Sequence, residues 1–245
     1  MNDLDPVTLS GCLPGWIADL RVFPATDSTN RQGLEWAARG AAHGSLLVAD
    51  YQTEGRGRLE RRWEAPAGSS LLASIVLRPD WPPEQWALLN LAAAVALCEC
   101  LDDLEVRAEV KWPNDVLLGG RKVCGILAES SDAAAVLGIG VNVRQRSFPD
   151  GLRHPATSLE LATGRSFDRG ELACRLLGVL GPLVNGPAQR IPDLYRPWCQ
   201  TLGRRVQVEL EGTTVEGEAV DIDGSGALVL RGGRVVTAGD IRELR

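Results

Sequence analysis

Between Gln52 and Trp63 the chain reads QTEGRGRLERRW, in which Gly55 and Gly57 alternate with Arg56 and Arg58 and are followed by Arg61 and Arg62. Glycine lets a backbone approach a ligand closely, and each guanidinium offers a forked pair of donors that matches phosphate or carboxylate oxygens. The segment reads as a mobile cationic loop with an anion as its natural ligand. A solvated charge run or an RGR-type RNA contact is the reading that these residues alone leave open. A second stretch is KWPND, Lys111 to Asp115, at the end of the strand-like VRAEV. Lys111 brings a mobile ammonium that, beside a buried tryptophan, needs a partner, and Pro113 stiffens the turn beyond it. Asn114 and Asp115 can bond the turn's own backbone, or hold a Mg²⁺ or a ribose hydroxyl. A third stretch, DSTN from Asp27 to Asn30, has the residue types that cap a helix. In a fourth, GIGVNV from Gly138 to Val143, Asn142 is a lone amide in an apolar strand, either a satisfied core group or a ligand contact.

These residues need elements to hold them. After Ser28, Leu34, Ala37, Ala38 and Ala41 fall at helical spacing up to His43-Gly44, where Gly44 suits the C′ position. SLLVADYQ, LLASIVLR, VRAEVKW, DVLL, KVCGILAES and AAVLGIGVNV read as strands, with Gly119-Gly120 turning DVLL into KVCGILAES as a hairpin. Pro82-Pro83 is expected to open a long helix reaching about Leu101, and Asp168 with Glu171 makes a capping box for ELACRLLGVLGPLV. From Arg204 onward, short strands and Gly turns without a helix predict a small antiparallel barrel. The expected division is residues 1–200 as a main mixed-sheet domain and 201–245 as a small β-domain.

Composition narrows the function classes. With 245 residues, net charge −6, 44% hydrophobic and 24% charged residues, the chain is of the globular and not the disordered kind. MNDLDPVTLSGCLPGW is acidic and broken by proline, which fits neither a signal peptide nor a transit peptide. The longest apolar run, Leu88 to Leu97, is shorter than the roughly 18 residues of a membrane span, so a cytoplasmic protein with no membrane partner is expected. Cys12, Cys98, Cys100, Cys124, Cys174 and Cys199 include no CxxC pair, and His43 and His154 are the only histidines. Neither a disulfide framework nor a zinc site is expected, and Cys98 and Cys100 read as core thiols. The sequence pI of about 5.1 opposes a general nucleic-acid binder.

DSTN, YQTEGRGRLERRW, KWPNDVLLGGRKVCGILAES and GIGVNV, in this order and spacing, resemble the catalytic domain of biotin protein ligases over roughly residues 23 to 145. The tail is more loosely similar to that family's small C-terminal SH3-like domain. The resemblance implies an α+β fold, with a class II aminoacyl-tRNA synthetase-like mixed-sheet catalytic domain that binds biotin and ATP, followed by an SH3-like β-barrel. It also implies two half-reactions. Biotin and MgATP give biotinyl-5′-adenylate and pyrophosphate, and a specific lysine of a biotin carboxyl carrier protein then takes the biotinyl group.

The same resemblance assigns Ser28, Thr29, Asn30, Gln52, Arg56, Gly57, Arg58 and Lys111 to biotin, with Gly125 permitting close approach. It assigns Arg56, Arg58, Arg61, Trp63, Asn114, Lys122 and Asn142 to ATP, and catalysis to Lys111, Arg56 and Arg58. The residue types agree, because joining a carboxylate to an α-phosphate brings two anions together and cations must offset them. Mg²⁺ is expected to come with ATP, not to sit in a site made by protein ligands alone. The absence of an RRxSGGG-like run opposes a lipoate ligase. About 25 residues before DSTN are too few for a winged helix-turn-helix, so a monofunctional form without a DNA partner is expected; a homodimer stays open. Leu59-Glu60 stands where the family often has glycine, and a stiffer, less positive loop is expected there.

Overall fold

A two-residue alternation along the central strands sorts side chains onto two faces of one sheet and decides where the site lies. The computed structural model describes the chain apart from residues 1, 2, 60, 132, 133, 153, 211, 212, 238 and 245. Glu60 of the Leu59-Glu60 departure, and the Glu211-Gly212 turn of the tail, therefore lie outside the described residues.

Seven strands form the main sheet: β1 (Asp19–Phe23), β2 (Ser45–Ala49), β3 (Ser70–Leu77), β4 (Glu109–Lys111), β5 (Asp115–Leu118), β6 (Arg121–Ser131) and β7 (Ala134–Asn142). Their order is β1-β2-β3-β7-β6-β5-β4, parallel for β1 and β2 and antiparallel elsewhere. The helices are α1 (Pro6–Cys12), α2 (Thr29–Ala38), α3 (Leu88–Asp102), α4 (Leu159–Thr163), α5 (Arg169–Val184) and α6 (Ile191–Tyr195). On β7, Ala135, Leu137, Ile139 and Val141 join the main core with α3 and α5, while Ala134 and Val136 pack with Trp36 and Ala37 of α2 on the opposite face. Gly138 and Gly140 share that second face, and the functional cavity opens on it. Buried along nearly its whole length, α3 lies between the sheet and α5.

The local signals and the structure differ at several ends. Helix α2 stops at Ala38, and Gly40, not Gly44, takes the left-handed C′ position at φ 87°. Gly40 N–H donates to Ala37 O and Ala41 N–H to Trp36 O, the double closure of a Schellman end. Gly44 serves a close approach instead, since a Cβ there would come 2.2 Å from Trp16 O. Pro83–Gln85 forms a separate 3₁₀ turn, and α3 starts only at Leu88. The Gly119-Gly120 hairpin has both glycines at positive φ, as its two-residue turn requires. The expectation of no disulfide framework is corrected: Cys12 on α1 and Cys174 on α5 are bonded, with Cα atoms 5.8 Å apart and a sequence separation of 162. Packing of α1 on α5, invisible in cysteine spacing, brings them together. Cys98 and Cys100 are buried thiols, and burial pushes the Cys100 thiol up to about 11.

The tail forms a second, antiparallel sheet of β8 (Arg205–Leu210), β9 (Thr213–Ile222), β10 (Leu228–Leu230), β11 (Arg234–Val236) and β12 (Asp240–Glu243), in the order β11-β10-β9-β8-β12. Its inward residues, among them Val206, Val208, Leu228 and Ile241, belong to the same apolar cluster as α3. Trp112 Nε1 donates to Gly226 O and Trp112 N–H to Thr201 Oγ1, so the turn after Lys111 is fastened to the tail.

Candidate active site

The N-terminus of α2 supplies a polar slot. Ser28 holds the N-cap position, but its side chain makes no capping bond. Asp27 receives Ser28 N–H at 2.6 Å instead and takes further bonds from Gln32 and Arg31. Burial opposes ionisation of Asp27, yet these donors hold its carboxyl below the usual range. Thr29 donates from its backbone N–H and its hydroxyl to Gln52 Oε1 at 2.7 and 3.0 Å. Buried Ser74 of β3 donates to Asn30 Oδ1 at 2.6 Å and lies 2.7 Å from Thr29 Oγ1. The Asn30 amide donates in turn to Leu127 O and to Glu129. A Cβ at Gly138 would stand 2.1 Å from Asn30 Oδ1, so this glycine makes the room that Asn30 fills.

The cationic segment folds as a hairpin against the sheet. Gly57 N–H donates to Arg61 O, Trp63 N–H donates to Gly55 O, and Arg56 pairs with Arg62. Leu59, exposed, turns the chain at φ 55°. Gly125 of β6 and Gly140 of β7 are direct cross-strand partners, and the Trp63 indole lies on them; a Cβ at either would come within 2.8 Å of the ring. Two facing glycines thus make a flat seat for one aromatic ring. The buried Trp63 Nε1 has no acceptor among the described residues. Arg56 pairs with Glu129 at 3.0 Å, and Arg58 Nη1 donates to Asn114 Oδ1 at 3.0 Å.

Lys111 ends β4 and is 8% exposed. Its Nζ lies 3.0 Å from Nε2 and 3.3 Å from Nδ1 of His154. Asp115, opposite Lys111 across the turn, is engaged by Lys122 Nζ at 2.6 Å. Asn142 donates to Thr157 O and is buried, so its amide is a satisfied group that also borders the cavity.

One cavity of about 290 Å³ gathers Ser28, Thr29, Asn30, Gln52, Arg56, Gly57, Arg58, Arg61, Trp63, Lys111, Asn114, Lys122, Gly125 and Asn142. No residue singled out in the sequence for biotin or ATP falls outside it. Sequence reasoning missed Ser74, Glu129 and His154. A lone hydroxyl in the apolar strand LLASIVLR is a signal of the same kind as Asn142, whereas nothing in the text around His154 points to Lys111. Among the described residues no group of three His, Cys, Asp or Glu could hold a metal ion. No helix among them is long and apolar enough to cross a membrane.

A mixed sheet thus carries a cationic hairpin, a polar slot and a seated indole around one cavity, an arrangement suited to an anionic ligand with a flat ring. Residues 22–145 match the biotin/lipoate A/B protein ligase family, and residues 201–241 match the biotin protein ligase C terminal domain. The chain is 41% identical over 251 residues to the biotin–[acetyl-CoA-carboxylase] ligase of Mycobacterium tuberculosis, covering 97% of this chain and 93% of that one. It is 34% identical over 222 residues to the bifunctional ligase/repressor BirA of Bacillus subtilis, covering 83% of this chain and 66% of that longer one. The structure of a biotin protein ligase from Aquifex aeolicus in complex with biotin and ATP aligns with TM-score 0.79 and 29% identity over 93% of this chain and 99% of that one. The chain belongs to the biotin/lipoate A/B protein ligase family, among its biotin protein ligases. Its mixed α+β fold with a C-terminal β-sheet domain is that of the solved members.

Proposed function

We propose that this chain activates biotin with ATP to biotinyl-5′-adenylate and transfers the biotinyl group to a specific lysine of a biotin carboxyl carrier protein of a carboxylase. The observation that carries this reading is the single cavity in which a polar slot, a cationic hairpin, Lys111 and a seated indole meet. The slot of Ser28, Thr29 and Gln52 offers both donors and acceptors, as a ureido ring requires. Trp63 on its glycine seat, with Lys122 Nζ 5.6 Å from its ring and Arg61, Asn114 and Asn142 lining the same cavity, suits a nucleotide. Arg56, Arg58 and Lys111 provide positive charge where a carboxylate must meet an α-phosphate. A carboxylate oxygen of biotin attacks the α-phosphorus and the bond to pyrophosphate breaks. The neutral amine of the carrier lysine then attacks the acyl carbon, gives up a proton and releases AMP.

Mg²⁺ belongs to the ATP substrate in this scheme. Asp115 is engaged by Lys122, and Asn114 by Arg58 and Ile126 O. Residues 1–200 form the catalytic domain, of the class II aminoacyl-tRNA synthetase-like type, and residues 201–245 the SH3-like barrel. Both work in the cytoplasm, where carrier and ATP are found.

The deciding experiment is ATP–pyrophosphate exchange. Exchange should require biotin and Mg²⁺ and be indifferent to lipoate, since a dithiolane has nothing for the polar slot to bond. Equal exchange with lipoate would overturn the substrate assignment. Lys111→Ala should lower turnover about 10²–10³-fold by removing a charge-stabilising group, and near-wild-type exchange would reduce Lys111 to a structural role.

A further inference from the structure

His154 sits on the segment between β7 and α4, whose Phe148, Pro149 and Leu152 also line the cavity. The segment is fastened to the start of β6: Lys122 N–H donates to Pro155 O at 2.8 Å and Thr157 N–H to Lys122 O at 2.9 Å. This places the imidazole within 3.0 Å of the Lys111 ammonium. A largely buried ammonium keeps its charge only with an acceptor at hand, and a neutral imidazole always presents one unprotonated nitrogen.

We propose that His154 is a positioning residue for the reaction, its neutral ring accepting from Lys111 and holding that ammonium in the cavity. The proposal rests on the reading of Lys111 given above. Protonation of His154 removes the acceptor and sets a second positive charge beside Lys111. The charged groups of other elements that line the same cavity are Asp115 and Lys122 from β5 and β6, and Arg56, Arg58, Arg61, Arg62 and Glu64 from the hairpin side. Glu129, also on β6, is paired with Arg56. A protonated ring 3.0 Å from the Lys111 ammonium repels it from its place in the cavity. A displaced ammonium then serves the developing charge less well, which lowers kcat more than it raises KM.

The test is biotin-dependent pyrophosphate exchange by wild type, His154→Gln and His154→Ala between about pH 5.5 and 8, across the ordinary histidine range near 6.5. Wild-type kcat should fall as pH drops through that range. His154→Gln keeps an acceptor that does not titrate, so its kcat should stay within a few-fold of wild type at pH 8, and the histidine limb should vanish. His154→Ala should lose about 10–100-fold in kcat, the worth of a charge-assisted hydrogen bond, with smaller changes in KM for biotin and ATP. His43 remains in both variants, its Nδ1 bonded to Arg78 N–H, so a limb that survives in His154→Gln overturns the proposal. So does an alanine variant with wild-type kcat. If the alanine variant unfolds, the pH profile of the glutamine variant decides alone. Absence of wild-type exchange strikes the function itself, and this inference with it; normal exchange with unaffected variants strikes only the role of His154.

Discussion

The two ends of the cavity are built differently. The polar slot is a closed network in which Gln52, Thr29, Ser74, Asn30 and Glu129 bond one another across α2, β3 and β6, mostly out of water. The hairpin end is half in solvent: Arg56 is 41% exposed, and its pair with Glu129 is of the kind worth about 0–1 kcal/mol. A network that loses a member leaves a buried polar atom unsatisfied, whereas a surface pair that opens is re-solvated at little cost. On the proposed assignment of the slot to the ureido ring, recognition rests on a preformed surface. Charge compensation rests on side chains that can change partners when a more strongly charged ligand arrives.

The firm end also has a deep anchor. Arg169, 2% exposed, reaches both Asp3 and Asp50, and Asp50 lies two residues before Gln52. Burial opposes ionisation of Asp3, but bonds and charge from Arg169, with the charge of Arg144, hold its carboxyl below the usual range. A carboxyl lowered in the folded state contributes stability above its unfolded value near 3.9, and that contribution is lost as pH falls through the folded value. Asp3→Asn should thus cost about 1.5–3 kcal/mol in denaturant unfolding at pH 7, the worth of a charge-assisted bond, since Asp50 still faces Arg169. The deficit should shrink below about pH 4. A small deficit that does not vary with pH would show that the anchor is not electrostatic.

A middle-sized effect is expected at the loose end. Arg58→Gly frees Asn114 and removes a guanidinium from the hairpin while Arg56 and Lys111 remain. Adenylation should persist, but biotinyl-adenylate should escape about 10–100-fold faster, the loss of one charge-assisted bond. Streptavidin blotting of an unrelated bystander protein incubated with enzyme, biotin and ATP reads this directly. Labelling no greater than with wild type would mean that Arg58 does not retain the intermediate.

The smallest effect belongs to Ser74→Ala, which deprives Asn30 Oδ1 of its donor inside the slot at about 1–3 kcal/mol. If the slot binds biotin alike in ground and transition states, KM for biotin should rise up to about 10-fold with kcat kept. A fall in kcat with KM unchanged would place the slot in the chemical step and erase the contrast between the two ends.

The order of β2 to β7 and of the longer helices α2, α3 and α5 was legible because alternation and helical spacing are properties of neighbouring residues, and so was the grouping of GRGR, KWPND, DSTN and GIGVNV; the short α1, β1, α4 and α6 were not. Ends were less legible: the closing role went to Gly40 and not Gly44, because a Schellman end depends on which carbonyls face the turn. What the sequence by itself determined is the inventory of chemistry and the period-2 pattern that puts Gly138, Gly140 and Asn142 on one face of β7. Only the tertiary structure decided that Gly125 stands opposite Gly140 beneath Trp63, that Cys12 meets Cys174, and that His154 meets Lys111. Those meetings depend on strand register and on helix packing across many tens of residues. Register is set by the burial of whole faces, to which no short stretch of sequence has access.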